Sequence, residues 1–91
     1  MANTKSAMKN IRKSERRRER NQVFRSRART LVKQTRRLIA DGELEQAQST
    51  AQLAAKALDK AAKRRIIHPN NASRRKSRLI KHLNQAKRQA A

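Results

Sequence analysis

The sequence predicts an all-α protein, a three-helix bundle whose long N-terminal helix projects beyond the bundle. Two observations carry this prediction. Apolar residues recur every three or four positions over most of the chain, which is the period of an α-helix. Residues that interrupt helices are scarce, since the 91 residues include one glycine and one proline. These two, Gly42 and Pro69, divide the chain into three helical segments.

The first helix is predicted over residues 6–40. Gly42 stands where this helix needs a residue in the left-handed conformation after its last turn. At about 100° per residue, one face of the helix carries a mostly apolar stripe. Its members are Phe24, Ala28, Leu31, Thr35 and Leu38.

The same face changes character towards the N-terminus. Followed backwards from Phe24, it carries Arg20, Arg17 and Lys13. Burying three cations without partners would be costly, so this part of the face cannot pack on protein. We therefore expect residues 1–22 to form a basic extension of the helix that projects beyond the bundle.

The second helix is predicted over residues 43–63. Glu43 and Glu45 fall in its first turn, where the helix dipole favours negative charge. Its predicted core stripe is Leu44, Ala47, Ala51, Ala55, Leu58 and Ala62.

The third helix is predicted over residues 71–89. Pro69 disfavours helical geometry at His68, and Asn70 or Asn71 is suited to cap the helix that follows. Its predicted core stripe is Ala72, Leu79, Leu83, Ala86 and Ala90. Short connections make neighbouring helices antiparallel, which favours a bundle with a small, alanine-rich core.

The composition indicates a domain of marginal stability that binds a polyanion. The formal net charge is +20, and such self-repulsion opposes a compact state. Leu, Ile, Val and Phe together number 15 of 91 residues, a low value for a folded domain. We expect the helices to become ordered in part when a partner neutralises the charge. Nucleic acid is the first candidate.

The charge is unevenly distributed among the helices. It is +6 over residues 5–22, +6 over 23–40, −2 over 41–62 and +10 over 63–91. Residues 60–91 contain no Asp or Glu to neutralise their cations. We therefore interpret helices one and three as the binding side and helix two as their backing.

The residue inventory favours recognition of a folded backbone by shape and charge. The one aromatic residue, Phe24, lies on a predicted core face, so no stacking platform for bases is available. Arginine suits phosphates because its fork donates two hydrogen bonds. Five amides could read base edges or sugar hydroxyls, or could serve only as helix caps and solvated positions: Asn10, Asn21, Gln22, Asn70 and Asn71.

Catalysis and cofactors find little support. His68 and His82 stand 14 residues apart without further ligands nearby, and cysteine is absent. None of the six carboxylates forms a plausible acid/base pair. The sequence therefore predicts no enzyme, no catalytic residue, no metal, no cofactor and no small-molecule substrate.

A membrane is the competing polyanion. An interfacial helix needs a broad face of Leu, Phe and Trp, and the chain has one Phe and no Trp. No apolar run approaches the length of a signal-peptide core or a membrane span. We expect no membrane partner, and a protein that is cytoplasmic or made within an organelle.

Two stretches resemble ribosomal protein S20 of the small subunit in bacteria and plastids. They are "MANTKSAMKNIRKSERRRERN" at the start and "IIHPNNASRRKSRL" later in the chain. The second is the more specific, and it matches the family pattern at His68, Asn70, Ala72, Arg74, Lys76, Ser77, Arg78 and Leu79. Length, charge, the "DGE" turn and the order of elements also agree, so the resemblance covers essentially the whole chain.

The resemblance implies a ribosomal protein that binds 16S-type rRNA directly and early in assembly of the small subunit. The implied partners are the 5′ domain, the penultimate stem in the 3′ minor domain and other small-subunit components. Residues 1–91 would form a single rRNA-binding helical domain. Charge and resemblance together give the following predicted rRNA-binding residues: Lys5, Lys9, Arg12, Lys13, Arg16, Arg17, Arg20, Arg29, Lys33, Arg36, His68, Asn70, Arg74, Arg75, Lys76, Arg78 and Lys81.

One departure from the family bears on the site. Pro69 stands where the family usually has a basic residue, which implies a lost phosphate contact and a stiffer linker. Ser73 replaces a usual Ala and should matter little.

Two other classes share the small size and high charge. A histone-like DNA-compacting protein would bind duplexes of any sequence with similar affinity. A basic, membrane-active helix would bind anionic vesicles without nucleic acid.

Overall fold

The computed structural model describes residues 2–90, and the side chains of residues 4–90. It consists of three helices, α1 (Ala2–Ala40), α2 (Leu44–Lys63) and α3 (Pro69–Ala90). The described residues contain no β-strand. The all-α prediction is confirmed, including its long first helix, which begins four residues before the predicted start. Residues 1 and 91 of the predicted domain lie outside the described residues.

Helix α3 begins at Pro69, two residues before the predicted start. Proline is well suited to the first helical position because its fixed φ matches the helix and no partner is needed there for an N–H group. His68 is the cap. Its Nδ1 accepts a hydrogen bond from the Asn70 N–H at 3.1 Å, and its carbonyl accepts one from the Ala72 N–H at 3.1 Å. The predicted capping role of Asn70 or Asn71 is therefore wrong.

The turn after α1 depends on Gly42. Its φ is +80°, in the left-handed region that favours glycine. The Gly42 N–H donates to the Ile39 carbonyl at 3.1 Å, and the Glu43 N–H donates to the Leu38 carbonyl at 2.9 Å. These two bonds form a Schellman motif that satisfies the last carbonyls of α1 and starts the chain back along α2.

The end of α2 has the same geometry without a glycine. Arg65 has φ +59°, and its N–H donates to the Ala62 carbonyl at 3.0 Å. The Ile66 N–H donates to the Ala61 carbonyl at 2.9 Å. An arginine in this conformation carries a backbone strain that glycine would not.

The two turns predict opposite effects for exchanging glycine and a side chain. Gly42→Ala should lower the free energy of unfolding by about 1 kcal/mol, because alanine is strained at this φ. The added Cβ would meet nothing within 4 Å, so no packing term obscures the effect. Arg65→Gly should raise stability by up to about 1 kcal/mol by removing strain. Thermal unfolding followed by circular dichroism measures both, and shifts of the same sign would contradict this account.

Helix α2 is the central element of the bundle. It packs extensively on α1 and on α3, whereas α1 and α3 touch each other little. This side-by-side packing makes the body flat, and the long α1 makes it elongated; the Cα atoms extend over 70 × 22 × 14 Å. The seam between α1 and α3 is the weakest contact of the fold.

The core is small and rich in alanine, as predicted. One cluster lies where the C-terminal half of α1 meets the start of α2 and the end of α3; its buried members are Ile39, Ala47, Ala51, Ala54, Leu79 and Leu83. A second cluster lies towards the other end of α2, with Ala28, Ala57, Leu58 and Ala72. The buried Thr35 is satisfied because its Oγ1 donates to the Leu31 carbonyl at 2.8 Å.

The predicted stripe of α2 is too narrow. Ala54, Ala57 and Ala61 are buried as well, while Ala55 and Ala62 are only half-buried. The reason is that α2 packs on helices at two sides, so its buried face is wider than a single stripe. On α3, the predicted core residue Ala90 is exposed.

The N-terminal part of α1 projects from the bundle. Every described side chain from residue 4 to residue 20 is exposed, and the first buried residue of α1 is Ala28. At about 1.5 Å per residue, residues 5–22 extend roughly 27 Å. Within the described residues, no helix combines the length and low charge needed to cross a bilayer.

Candidate nucleic-acid interface

The projecting part of α1 presents its cations in two neighbouring groups. The first surrounds Met8 and consists of Lys5, Lys9, Arg12, Lys13 and Arg16. The second consists of Lys13, Arg16, Arg17 and Arg20. Each member stands three or four positions from another member of its group, so the helix places them side by side. The seven predicted residues of the extension thus form one continuous basic surface, defined here as the α1 arm surface.

The remaining predicted residues of α1 lie beside the bundle. Arg29, Lys33 and Arg36 are exposed at one-turn intervals, although Ala28 and Thr35 next to them are buried. The helix therefore turns an apolar side to α2 and keeps a basic side in solvent. Phosphates can approach these cations without disturbing the core.

Most predicted residues of α3 are also exposed. Arg74, Arg75, Arg78 and Lys81 lie in solvent. Lys76 differs, because its Nζ lies 2.8 Å from Asp59 Oδ1 of α2 and its side chain is 30% exposed. Within the described residues this is the one ion pair. Lys76 helps to join α3 to α2, so its charge is less available to a partner than those of its neighbours.

The two predicted residues before and within the first turn of α3 have different surroundings. His68 uses Nδ1 to cap the helix, which leaves the opposite edge of its exposed ring free. Asn70 is exposed. Pro69 is the first residue of α3 rather than part of the linker, and its ring suits the first turn of that helix.

The other amides have structural surroundings that limit their roles. Asn10 and Gln22 are exposed inside α1, and Asn21 there is half-buried, so none of these three is a helix cap. Asn71 is half-buried, and its Oδ1 is enclosed without a hydrogen-bond partner in the described part of the chain. That oxygen is not placed to read a base edge.

Three arginines near the junction of the helices are not among the predicted residues. Arg25 donates from Nη2 to the Ile66 carbonyl at 3.2 Å. The Arg64 guanidinium lies 4.7 Å from the centre of the Phe24 ring, and so covers the one aromatic face of the protein. Arg65 occupies the left-handed position described above. The repeated arginines of "RRIIHPNN" were the available signal, but only tertiary contacts place Arg25 beside them.

The electrostatic character of the surface follows from these placements. Helices α1 and α3 hold nearly all of the excess positive charge, and α2 packs between them through its alanines. No group of three His, Cys, Asp or Glu side chains that could hold a metal occurs among the described residues. The arrangement is suited to holding an extended polyanion and offers no evident machinery for changing it chemically.

Comparison with known proteins gives a family. Residues 2–84 match the family described as Ribosomal protein S20. A small ribosomal subunit protein bS20 from Thermomicrobium roseum is 52% identical over 84 residues, which cover 92% of this chain and 85% of the relative. Relatives of the same name from Dehalococcoides mccartyi and Bacillus mycoides are 45% and 46% identical, and the matches cover 94% and 92% of this chain and 98% and 99% of the relatives.

These matches define a structural ribosomal protein rather than an enzyme. The chain belongs to the ribosomal protein S20 family. The resemblance noted in the sequence is thereby confirmed.

Proposed function

We propose that this protein binds 16S-type rRNA of the small subunit directly and stabilises the folding of that rRNA during assembly. Residues 1–91 act as a single rRNA-binding helical domain. The observation that carries the proposal is the α1 arm surface. It lies on a basic part of α1 in which every described side chain from residue 4 to residue 20 is exposed. This part of α1 packs against RNA.

The net charge of the projecting part of α1 determines what it binds. Residues 5–22 carry a net charge of +6 on a helix roughly 27 Å long. Such a helix offers cations on several sides, so it suits a position between RNA helices whose phosphates would otherwise repel each other. Counterions released from those phosphates provide the favourable free energy of binding.

The bundle adds a second region of contact. Arg29, Lys33 and Arg36 of α1 and Arg74, Arg78 and Lys81 of α3 form the exposed basic sides of its two outer helices. A body 70 Å long with cations at both ends can join RNA segments that are distant in the rRNA sequence. We assign these segments to the 5′ domain and to the penultimate stem of the 3′ minor domain.

Assembly then benefits in two ways. The bound protein offsets phosphate repulsion where the RNA helices meet, and it fixes their relative position through a continuous α1. Other small-subunit components are the further partners, and the ribosome is the location, in the cytoplasm of a bacterium or in a plastid. No membrane partner is proposed.

The test is a binding comparison at several salt concentrations. The purified chain is titrated against the 5′-domain rRNA and against a random-sequence DNA duplex of equal length. A preference for the rRNA that persists as salt rises is the expected result, because shape recognition survives screening better than charge alone. Equal affinities and equal salt slopes would contradict the proposal and favour a DNA-compacting role.

A further inference from the structure

A small pocket lies across the weak seam between α1 and α3. Its floor is apolar and consists of Ala28, Leu58, Ala61 and Ile67. Its rim consists of three arginines, Arg25 and Arg29 of α1 and Arg75 of α3. The volume is about 150 Å³, room for several water molecules at about 30 Å³ each. We call this pocket the arginine pocket.

The charge of the pocket is unbalanced. Three arginines line one small space, and no carboxylate is among its lining residues. The acid nearest in sequence, Asp59, is engaged by Lys76 at 2.8 Å.

The fold brings the backbone positions of the three arginines to one place. Arg25 is held by its hydrogen bond to the Ile66 carbonyl, and Arg29 follows one turn later on the same side of α1. Arg75 approaches from α3, whose start is set by Pro69 and the His68 cap. Beneath them, Leu58 and Ala61 are fully buried, so the floor is part of the packed core.

We propose that the arginine pocket binds one phosphate group, which bridges α1 and α3 and closes the seam between them. A tetrahedral phosphate presents several oxygens, so guanidinium forks from two helices can donate to it together. The apolar floor excludes water from one side and strengthens these charge-assisted bonds. Binding here stabilises the fold, because the anion joins two helices that otherwise touch little.

The phosphate group can come from an RNA backbone or from a free anion. RNA as the source rests on the proposed function, whereas the pocket itself does not. If RNA is the source, binding at this pocket has an effect that binding at the α1 arm surface does not have. Contacts at the α1 arm surface increase the affinity for RNA only. A phosphate in the arginine pocket also stabilises the bundle, so RNA binding and folding of the protein are coupled there.

The first arm of the experiment uses free phosphate. Thermal unfolding of the full chain is followed by circular dichroism in sodium chloride and in sodium phosphate of equal ionic strength. We expect phosphate to raise the Tm several degrees above chloride. The double variant Arg29→Gln/Arg75→Gln should lose this difference. Neither of these side chains makes a hydrogen bond within the described residues, so the variant is expected to fold.

A matched control removes two charges elsewhere. Lys56→Gln/Lys60→Gln changes α2 outside the arginine pocket and should keep the phosphate-specific rise in Tm. Coincident unfolding curves of the unaltered protein in the two salts would overturn the proposal. So would a pocket variant that keeps the full difference, since the anion would then bind elsewhere.

The second arm identifies the source of the phosphate. Affinity for the 5′-domain rRNA is measured against salt for the same variants. If an RNA phosphate occupies the pocket, the double variant should bind about 10-fold more weakly, with a salt slope lower by about 0.7 to 0.9, the value for one phosphate. Unchanged rRNA affinity together with a lost phosphate effect on Tm would assign the pocket to a free anion. If neither the unaltered protein nor any variant prefers the rRNA over the DNA duplex, the proposed function is contradicted instead.

Discussion

Simultaneous replacement of Lys13, Arg17 and Arg20 by glutamine is expected to weaken rRNA binding about 100-fold at physiological salt. Each lost phosphate contact lowers the salt slope by about 0.7 to 0.9, so the slope should fall by about 2 to 3. The three side chains lie together on the α1 arm surface, away from the core. Filter binding or fluorescence anisotropy at several salt concentrations measures both quantities.

The same variant should leave the bundle intact. The arm side chains are exposed and glutamine is a good helix former, so helicity and Tm should change little. Lys56→Gln/Lys60→Gln is the control for loss of charge, and it should weaken binding much less because α2 carries little of the net positive charge. Collapse of the circular dichroism signal in the triple variant would contradict the projecting-helix arrangement.

Leu58→Ala is expected to lower the free energy of unfolding by about 2 to 5 kcal/mol, which this domain is not expected to survive at 37 °C. Leu58 has no exposed surface and belongs to the cluster that joins α1, α2 and the start of α3. The other buried members of that cluster are alanines, which are too small to fill the resulting cavity. Urea unfolding followed by circular dichroism measures the loss.

Leu53→Ala provides a matched control on the same helix. Leu53 is 53% exposed on the side of α2 that faces away from α3, so its truncation should change stability by less than about 1 kcal/mol. Equal losses for the two leucine variants would show that burial in this structure does not determine stability. A loss confined to Leu58→Ala would locate the core where the second cluster lies.

One of the two turns between helices is predictable from the sequence and the other is not. Gly42 was predicted as the left-handed residue after α1, and the structure has it there with φ +80°. Arg65 occupies the equivalent position after α2, but no glycine or asparagine marks it in the sequence. Local signals identify a turn only when its residue type is distinctive. At Arg65 the chain takes this conformation where α2 ends and turns towards α3, although the residue is an arginine.

The basic side chains likewise include some whose exposure the sequence predicts and one whose pairing it does not predict. Predicted residues such as Arg17 and Arg78 are exposed, as the distribution of charge implied. Lys76 carries the same charge in the same run, yet it is paired with Asp59, 17 positions away. Charge counting cannot distinguish these cases, because the pairing depends on how α3 lies against α2.

The sequence by itself determined the helices, their order, the basic character of α1 and α3, and the family. These depend on period, residue type and charge, which are local properties of the chain. The tertiary structure alone decided that α2 is buried on two sides, that Lys76 is paired and that Arg25, Arg29 and Arg75 share one pocket. The reason is physical: each of these features joins helices whose residues are far apart in sequence, and only packing brings their side chains within reach of one another.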